Sequence, residues 1–336
     1  MRLLIAIVNY RTGALVADCL RSLASEMAEL PGALAVVADN ASGDGSVELL
    51  ERTIAEHGFG AWARVLALPA NGGFSYGNNR ATERFLDHAA VDRPEYVLFL
   101  NPDTVVRPGA LRALLAFMDA HADVGIAGSR LEDPDGTPQH CRFRFLSIPG
   151  ELEHTLQIGA VSRVLARYKI APPLVDHAHP IDWVSGASMI VRRAVFDDVG
   201  LMDEEYFLYY EELDFTLRAA RAGWPCWFVP ESRVVHLVGQ STGVTNRHEP
   251  PKRRPRYWFD SRRRYFVKNY GPTYCAIASL AWLAGTLLRR AIGFVRRRPV
   301  DDPPHLVADF LRYGCARTPH GRDRTRTESS ETRRAA

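Results

Sequence analysis

Cysteine is sparse and scattered in this sequence. Cys19, Cys141, Cys226, Cys275 and Cys315 are odd in number, lie far apart and include no Cys-x-x-Cys pair. That pattern argues against a disulfide framework and against a zinc site, and it fits a reducing cytoplasm. Long apolar runs are missing too. The start, MRLLIAIVNY, holds six apolar residues before Asn9, which reads as a buried strand rather than a signal peptide. The apolar stretch 273–288 is sixteen residues, short of the ~20 that a membrane-spanning helix needs.

Charge of either sign is not in short supply, but it is unevenly placed. The 336 residues carry a formal net charge of +3. From Arg247 onward there are 21 Lys and Arg against 8 Asp and Glu, or +13, while the preceding part has 21 against 31, or −10. An acidic body with a basic C-terminal extension calls for an anionic partner: a membrane surface, a phosphorylated lipid or nucleic acid. The length is enough for a full core in one large domain or two.

Within residues 1–130, short apolar runs at 3–8, 34–38, 65–68, 96–100 and 124–127 alternate with helical spacing at 14–30, 46–57, 76–88 and 109–120. This alternation predicts an α/β fold with a mostly parallel central sheet covered by helices on both faces. Ligands of such sheets bind beyond the carboxyl ends of the strands. Four consecutive runs end there in Asn: Asn9-Tyr10, Asp39-Asn40-Ala-Ser, Asn71-Gly72-Gly73-Phe74 and Asn101-Pro-Asp103. Each has a plain alternative as turn or helix-cap chemistry. Read together, they suit a nucleotide diphosphate. A carboxylate and amide (Asp39, Asn40) can bond a pyrimidine edge, glycines (Gly72, Gly73) let amides approach phosphates, and Asp103 can hold a hard divalent cation.

Residues 131–181 read as an irregular, variable insertion, with His177 and His179 in a Pro-rich loop. The run 182–192 reads as a strand in which Gly186 and Ala187 allow close approach of a ligand or a neighbouring backbone. Next, Glu211, Glu212 and Asp214 crowd three carboxylates ahead of a helix-like run, 215–222, and a strand-like run, 229–235, leads to His236. Crowded acids repel, so one can hold a raised pKa and accept a proton near neutral pH; the alternative is acids placed to suit a helix dipole. After the basic linker at 250–256, residues 260–270 read as a helix with Arg262, Arg263, Arg264 and Lys268 on its polar side. The stretch 273–288, closed by Arg289-Arg290 and followed by Arg296-Arg297-Arg298, reads as an interfacial helix on an anionic membrane. The alternative is a helix packed on the body or on a second copy of the chain, as in a homo-oligomer. The final twenty residues read as disordered.

The ordered set Ile7-Val8-Asn9-Tyr10, Asp39-Asn40-Ala-Ser, Asn71-Gly-Gly-Phe-Ser-Tyr-Gly-Asn-Asn79, Leu100-Asn-Pro-Asp103, Gly186-Ala187, Glu211-Glu212-x-Asp214 and His236 resembles the family 2 glycosyltransferases of the GT-A fold. Within them it is most similar to the bacterial rhamnosyltransferase and galactofuranosyltransferase branch, over roughly residues 3–240. The resemblance implies that Asp39 reads the uracil or thymine of a dTDP- or UDP-sugar, with Asn9 and Tyr10 beside it, and that Asn40, Asn71 to Phe74, Asn78 and Asn79 surround the nucleotide. Asp103 would be the principal carboxylate for Mg or Mn, with Asn101 where the family places a first acid, and His236 the second metal ligand. Glu212 would be the base, with Glu211 and Asp214 supporting it or orienting the acceptor. Trp183, Gly186, Ala187, Tyr209 and Tyr210 are candidates to line the acceptor site.

The implied organisation is a catalytic domain at 1–245, a helical extension at 246–315 and a tail at 316–336. The implied enzyme is inverting, cytoplasmic and peripheral on the inner face of the membrane, and uses a glycan or polyprenyl-diphosphate-linked acceptor. No Gln-x-x-Arg-Trp segment is present, which argues against a processive synthase. A sugar-nucleotide nucleotidyltransferase would carry a Gly-rich basic loop after the first strand, where Asn-Tyr-Arg-Thr-Gly stands instead. Nucleic-acid binding would interleave aromatics with the basic charge, and they cluster apart from it.

Overall fold

The five apolar runs of the N-terminal part are all strands in the computed structural model, which describes residues 1–89, 92–238, 250–298 and 300–314. In chain order the elements are β1 (Leu3–Asn9), α1 (Gly13–Ala28), β2 (Leu34–Asp39), α2 (Ser46–Glu56), β3 (Ala63–Ala67), α3 (Phe74–Leu86), β4 (Tyr96–Leu100), β5 (Thr104–Val106), α4 (Ala110–Ala120) and β6 (Ile126–Glu132). There follow β7 (Arg142–Phe143), α5 (Ile148–Leu156), α6 (Gly159–Val164), β8 (His179–Ile181), β9 (Trp183–Val184), β10 (Ser188–Arg192), α7 (Arg193–Val199), α8 (Glu211–Arg221), β11 (Cys226–His236), α9 (Arg256–Tyr270), α10 (Pro272–Val295) and α11 (Leu306–Asp309). β1 and β4 are buried along their whole length, because the sheet is covered on both faces and every Leu, Ile, Val and Phe in them has a core to enter. Val16, Leu20, Leu23 and Met27 of α1 recur at helical spacing on the buried side.

The main sheet runs in the order β3-β2-β1-β4-β10-β6-β11-β5, with β8 paired to β11. β3, β2, β1, β4, β6 and β11 point one way, and β10, β5 and β8 run against them. From β1 the chain steps out to β2 and β3, then returns to place β4 on the other side of β1. Sheets of this kind bind ligands at such a reversal, beyond the carboxyl ends of β1 and β4, where Asn9 and Asn101 stand.

Two regions differ from their sequence reading. The single strand expected at 182–192 is two strands: β9 pairs with β7 in a small separate sheet, and β10 enters the main sheet antiparallel between β4 and β6. A turn at Ser185 to Ala187, tied by the Ser188 N–H to the Ser185 carbonyl, separates them. The insertion expected to be irregular contains α5, whose start is capped by Ser147 Oγ accepting from the Gly150 N–H at 3.2 Å.

The C-terminal helices are built onto the α8 side of the body. Tyr206, Leu213 and Leu217 share one apolar cluster with Tyr265 and Phe266 of α9 and Cys275 and Ala278 of α10. α10 is 24 residues long rather than sixteen, because the helix continues through Arg289 and Arg290, whose charges meet Asp302. It packs along α5, with Gly285 so close to Thr155 that a Cβ there would overlap the threonine hydroxyl. Beneath it Arg262 donates to Glu151 of α5, Nε to Oε2 at 3.0 Å, both side chains within 5% of full burial. The division expected at 245/246 falls within residues 239–249, and the tail expected from 316 lies beyond 314; both are outside the described residues.

Candidate active site

The β1 and β2 ends build one rigid polar corner. Asn9 Nδ2 donates to Asp39 Oδ2 at 2.6 Å and to Ser42 Oγ at 3.2 Å. The Ser42 hydroxyl and amide donate in turn to the two Asp39 oxygens at 2.6 and 2.9 Å. The corner is buried, so these bonds fix the carboxylate before any ligand arrives. Arg11 lies over the Tyr10 ring, 5.2 Å from its centroid, and its backbone N–H reaches Ser42 Oγ. Ser42 and Arg11 were not among the expected site residues, although the Asp-Asn-Ala-Ser run contained the first of them.

The third loop closes against the far side of the crevice. Asn40 Nδ2 donates to the Gly73 carbonyl at 2.9 Å, while its Oδ1 is buried without a hydrogen bond. Asn71 Oδ1 accepts from the Gly73 N–H at 3.0 Å. Gly73 has φ 91°, and a Cβ there would run into the Phe207 carbonyl, which itself accepts from the Phe74 N–H at 2.7 Å. Only glycine fits. Gly72 is packed as tightly on the Tyr76 ring. Asn78 and Asn79 are buried and commit their amides to protein: Asn78 to the Phe74 carbonyl, Asn79 to both backbone groups of Met202 and to Glu204. They brace the loop.

At the β4 end the Asn101 N–H donates to the Ala187 carbonyl at 3.0 Å, and Asn101 Oδ1 is another buried oxygen without a hydrogen bond. Pairing of β5 with β11 sets Thr104 opposite His236, which brings His236 Nε2 to 3.5 Å from Asp103 Oδ1. Asp103 is 1% exposed and His236 15%, so the pair is largely withdrawn from solvent. Gln139 Nε2 donates to the His236 carbonyl and to Asp133, fixing the strand end.

The acids lie in the first turn of α8, behind Tyr209 (φ 67°) and Tyr210 (φ 71°). Two consecutive non-glycine residues in the left-handed region cost on the order of 1–3 kcal/mol each and persist only when packing imposes them. Here the packing comes from α9: Tyr257 lies 6.1 Å from Tyr209, and Trp258 and Tyr265 lie 6.1 and 6.0 Å from Tyr210. These α9 aromatics were missed in the sequence; the cluster Tyr257-Trp258-Phe259 was the available signal. Burial raises the Glu212 carboxyl above its ordinary range, opposed by the N–H groups of Glu212 itself, Gly186 and Leu213. Burial, and then the Glu212 charge, pushes Glu211 well above the same range.

Gly186 joins the two walls: a Cβ on it would stand 3.6 Å from the Phe74 ring and 3.7 Å from Glu212 Cβ. Contacts therefore run without a break from Asn40 through Gly73, Phe74 and Gly186 to Glu212, and from Ala187 to Asn101. Asp214 is not part of this edge. It turns toward α9, accepting from Lys268 Nζ at 2.7 Å, Asn269 Nδ2 at 2.8 Å and Arg218 Nε at 3.1 Å. Asp214 was expected to support Glu212 or orient an acceptor; its hydrogen bonds here join α8 to α9. Trp183 is half-buried, stacked on Phe143 at 4.4 Å with its Nε1 on the Arg144 carbonyl.

No cluster of three or more His, Cys, Asp and Glu able to hold a metal occurs among the described residues. Asp103 and His236 are of the donor types that would hold a hard divalent ion, and Asn101, two positions before Asp103, keeps a buried oxygen without a hydrogen bond.

The family described as glycosyltransferase like family 2 matches residues 2–264. The chain belongs to this family. The match extends into α9, the helix that supports the strained tyrosines. The glycosyltransferase is 30% identical over 222 residues to the N-acetylglucosaminyl-diphospho-decaprenol L-rhamnosyltransferase of Mycobacterium tuberculosis, covering 62% of this chain and 67% of that one. It is 23% identical over 178 residues to the dTDP-rhamnosyl transferase RfbF of Shigella flexneri, covering 53% of each. Among solved structures, the mannosyltransferase PcManGT of Pyrobaculum calidifontis, in complex with GDP-Man and Mn2+, superposes with a TM-score of 0.52 at 16% identity, covering 94% of this chain and 81% of that one. This likeness concerns the fold, which is GT-A. The rhamnosyltransferase relatives support glycosyl transfer in polysaccharide synthesis for this enzyme.

Proposed function

We propose that the enzyme is an inverting glycosyltransferase that moves rhamnose from dTDP-rhamnose to a hydroxyl of a glycan, presented on a polyprenyl diphosphate at the inner face of the cell membrane. The observation that carries this reading is the continuous edge from the Asp39 corner to Glu212, with Asp103 and His236 at its β4 end. Two relatives support the finer terms, one being named a dTDP-rhamnosyl transferase and the other a diphospho-decaprenol rhamnosyltransferase. In this reading Asp39, held by Asn9 and Ser42, bonds the pyrimidine, and the Gly72-Gly73 backbone lies along the diphosphate.

Glu212 takes the proton of the acceptor hydroxyl as its oxygen attacks the anomeric carbon. The bond from that carbon to the diphosphate breaks on the opposite face, and the nucleoside diphosphate leaves with the electron pair. Burial and the neighbouring Glu212 charge favour the protonated form of Glu211, which spares the base a second full charge. A divalent ion held by Asp103 and His236 would supply electrostatic stabilisation of the departing diphosphate. Tyr209, Tyr210 and Trp183 form the acceptor side.

General-base help of this kind contributes ~10²–10⁴-fold. Glu212→Gln is therefore expected to lose transfer by about that factor while calorimetry shows unchanged binding of dTDP-rhamnose. Turnover at the wild-type rate would remove Glu212 from the role. Offering dTDP-, UDP- and GDP-sugars with Mn²⁺ or with chelator reads the donor and the metal requirement, and the anomeric configuration of the product reads inversion.

A further inference from the structure

By length and composition α10 qualifies as a helix able to cross a membrane. We infer instead that it lies along an anionic bilayer, with its outer face in the interfacial layer and its inner face still packed on the enzyme. This deepens the proposed use of a membrane-presented acceptor and rests on it.

The inner face is fully engaged. Cys275 and Ala278 enter the cluster shared with Leu213 and Leu217 of α8. Ser279 Oγ accepts from Arg262, the partner of buried Glu151. Trp282 stacks on Phe310 with centroids 4.0 Å apart and planes 13° apart. A helix pulled out to span a bilayer would open this cluster and uncover the Arg262–Glu151 pair. The fold therefore opposes spanning.

The outer face is apolar and bare. Leu280 is 65% and Phe294 88% exposed, and Ile277, Leu287, Leu288 and Val295 are each exposed by 46% or more. At 100° per residue these six fall within an arc of about 120°, along a helix roughly 36 Å long. Apolar residues in such a continuous stripe mark an interaction surface. At its end Arg296, Arg297 and Arg298 are exposed and form no ion pair with the described residues, unlike Arg289 and Arg290, which meet Asp302. The charge decides the occupant. α10 contains no Asp or Glu, so the same face of a second copy would offer those arginines no counter-charge, whereas anionic lipid headgroups would.

The test uses the full chain and vesicles of phosphatidylcholine with and without phosphatidylglycerol. Wild type is expected to sediment with the anionic vesicles and to be released by alkaline carbonate. Resistance to that extraction would indicate a spanning helix and overturn the inference. Leu280→Glu/Leu287→Glu/Phe294→Glu is expected to weaken vesicle binding by more than ~10²-fold, and Arg296→Glu/Arg297→Glu/Arg298→Glu by on the order of 10²-fold. Both should retain the wild-type melting temperature and transfer to a water-soluble acceptor. Unchanged vesicle binding by either variant overturns the inference. So does light scattering that finds a wild-type dimer dispersed by the leucine and phenylalanine changes. If wild type binds the vesicles but transfers to no acceptor, the docking stands and the functional reading fails; transfer without vesicle binding is the reverse.

Discussion

Glu211 and Glu212 are adjacent in sequence yet unequal in environment. Both are raised by burial, and the Glu212 charge is a further cause for Glu211. A carboxyl whose folded pKa lies above its unfolded value stabilises the fold fully below the ordinary 4.5, and that stability is lost as the pH climbs through the folded value. Glu211→Gln removes this loss. The variant is expected to match wild type in melting temperature near pH 4 and to exceed it increasingly toward pH 8, while the acidic limb of kcat/KM, set by Glu212, stays in place. An acidic limb that moves with Glu211→Gln would make Glu211 the base. That three acids sit together is plain from the sequence; how each of them is held is not. Residue 212 lies about 100° round the helix from 211 and residue 214 about 60° from 211 on its other side, and the packing of α9 on Asp214 sets it apart from the pair.

At the scale of elements, what could be read was whatever repeats locally. The buried strands and the amphipathic helices of the first half announced themselves by spacing, and the strand-end asparagines by their recurrence. The insertion of β10 between β4 and β6 was hidden, because a strand does not name its neighbours. α5 was hidden as well, since nine residues give too little periodicity to stand out among prolines. The strain at Tyr209 and Tyr210 has no sequence signature at all, both being non-glycine. Gly73 is the element whose requirement is now concrete. Alanine there would have to hold φ near 91° with its Cβ in the Phe207 carbonyl, so the third loop would separate from the 207–212 segment. Gly73→Ala is expected to raise the donor KM by more than ~10-fold and to lower stability by about 1–3 kcal/mol, read by initial rates and thermal unfolding. A variant with wild-type KM would show that this contact does not shape the donor site.

For the whole molecule, the contrast between an acidic body and a basic extension is partly resolved inside the fold. Arg262 meets Glu151, Arg264 meets Asp203, and Lys268 meets Asp203 and Asp214, so charge that looked destined for an external anion holds α9 to the body. The extension is therefore no detachable tail. A chain ending at residue 250 would lose Tyr265 and Phe266 from the core, at about 1.5–3 kcal/mol each for large apolar side chains. It would also strip α9 and α10 from α5, so that Glu151 loses Arg262 and the apolar contacts between these helices go with it. Together these approach the whole stability of an ordinary domain, ~5–15 kcal/mol, and the support for Tyr209 and Tyr210 goes with them. The shortened chain is expected to show no cooperative thermal transition and no donor binding, whereas a chain ending at residue 314 keeps both. A cooperative melt with intact donor binding by the 1–250 chain would mean that the catalytic wall stands without α9.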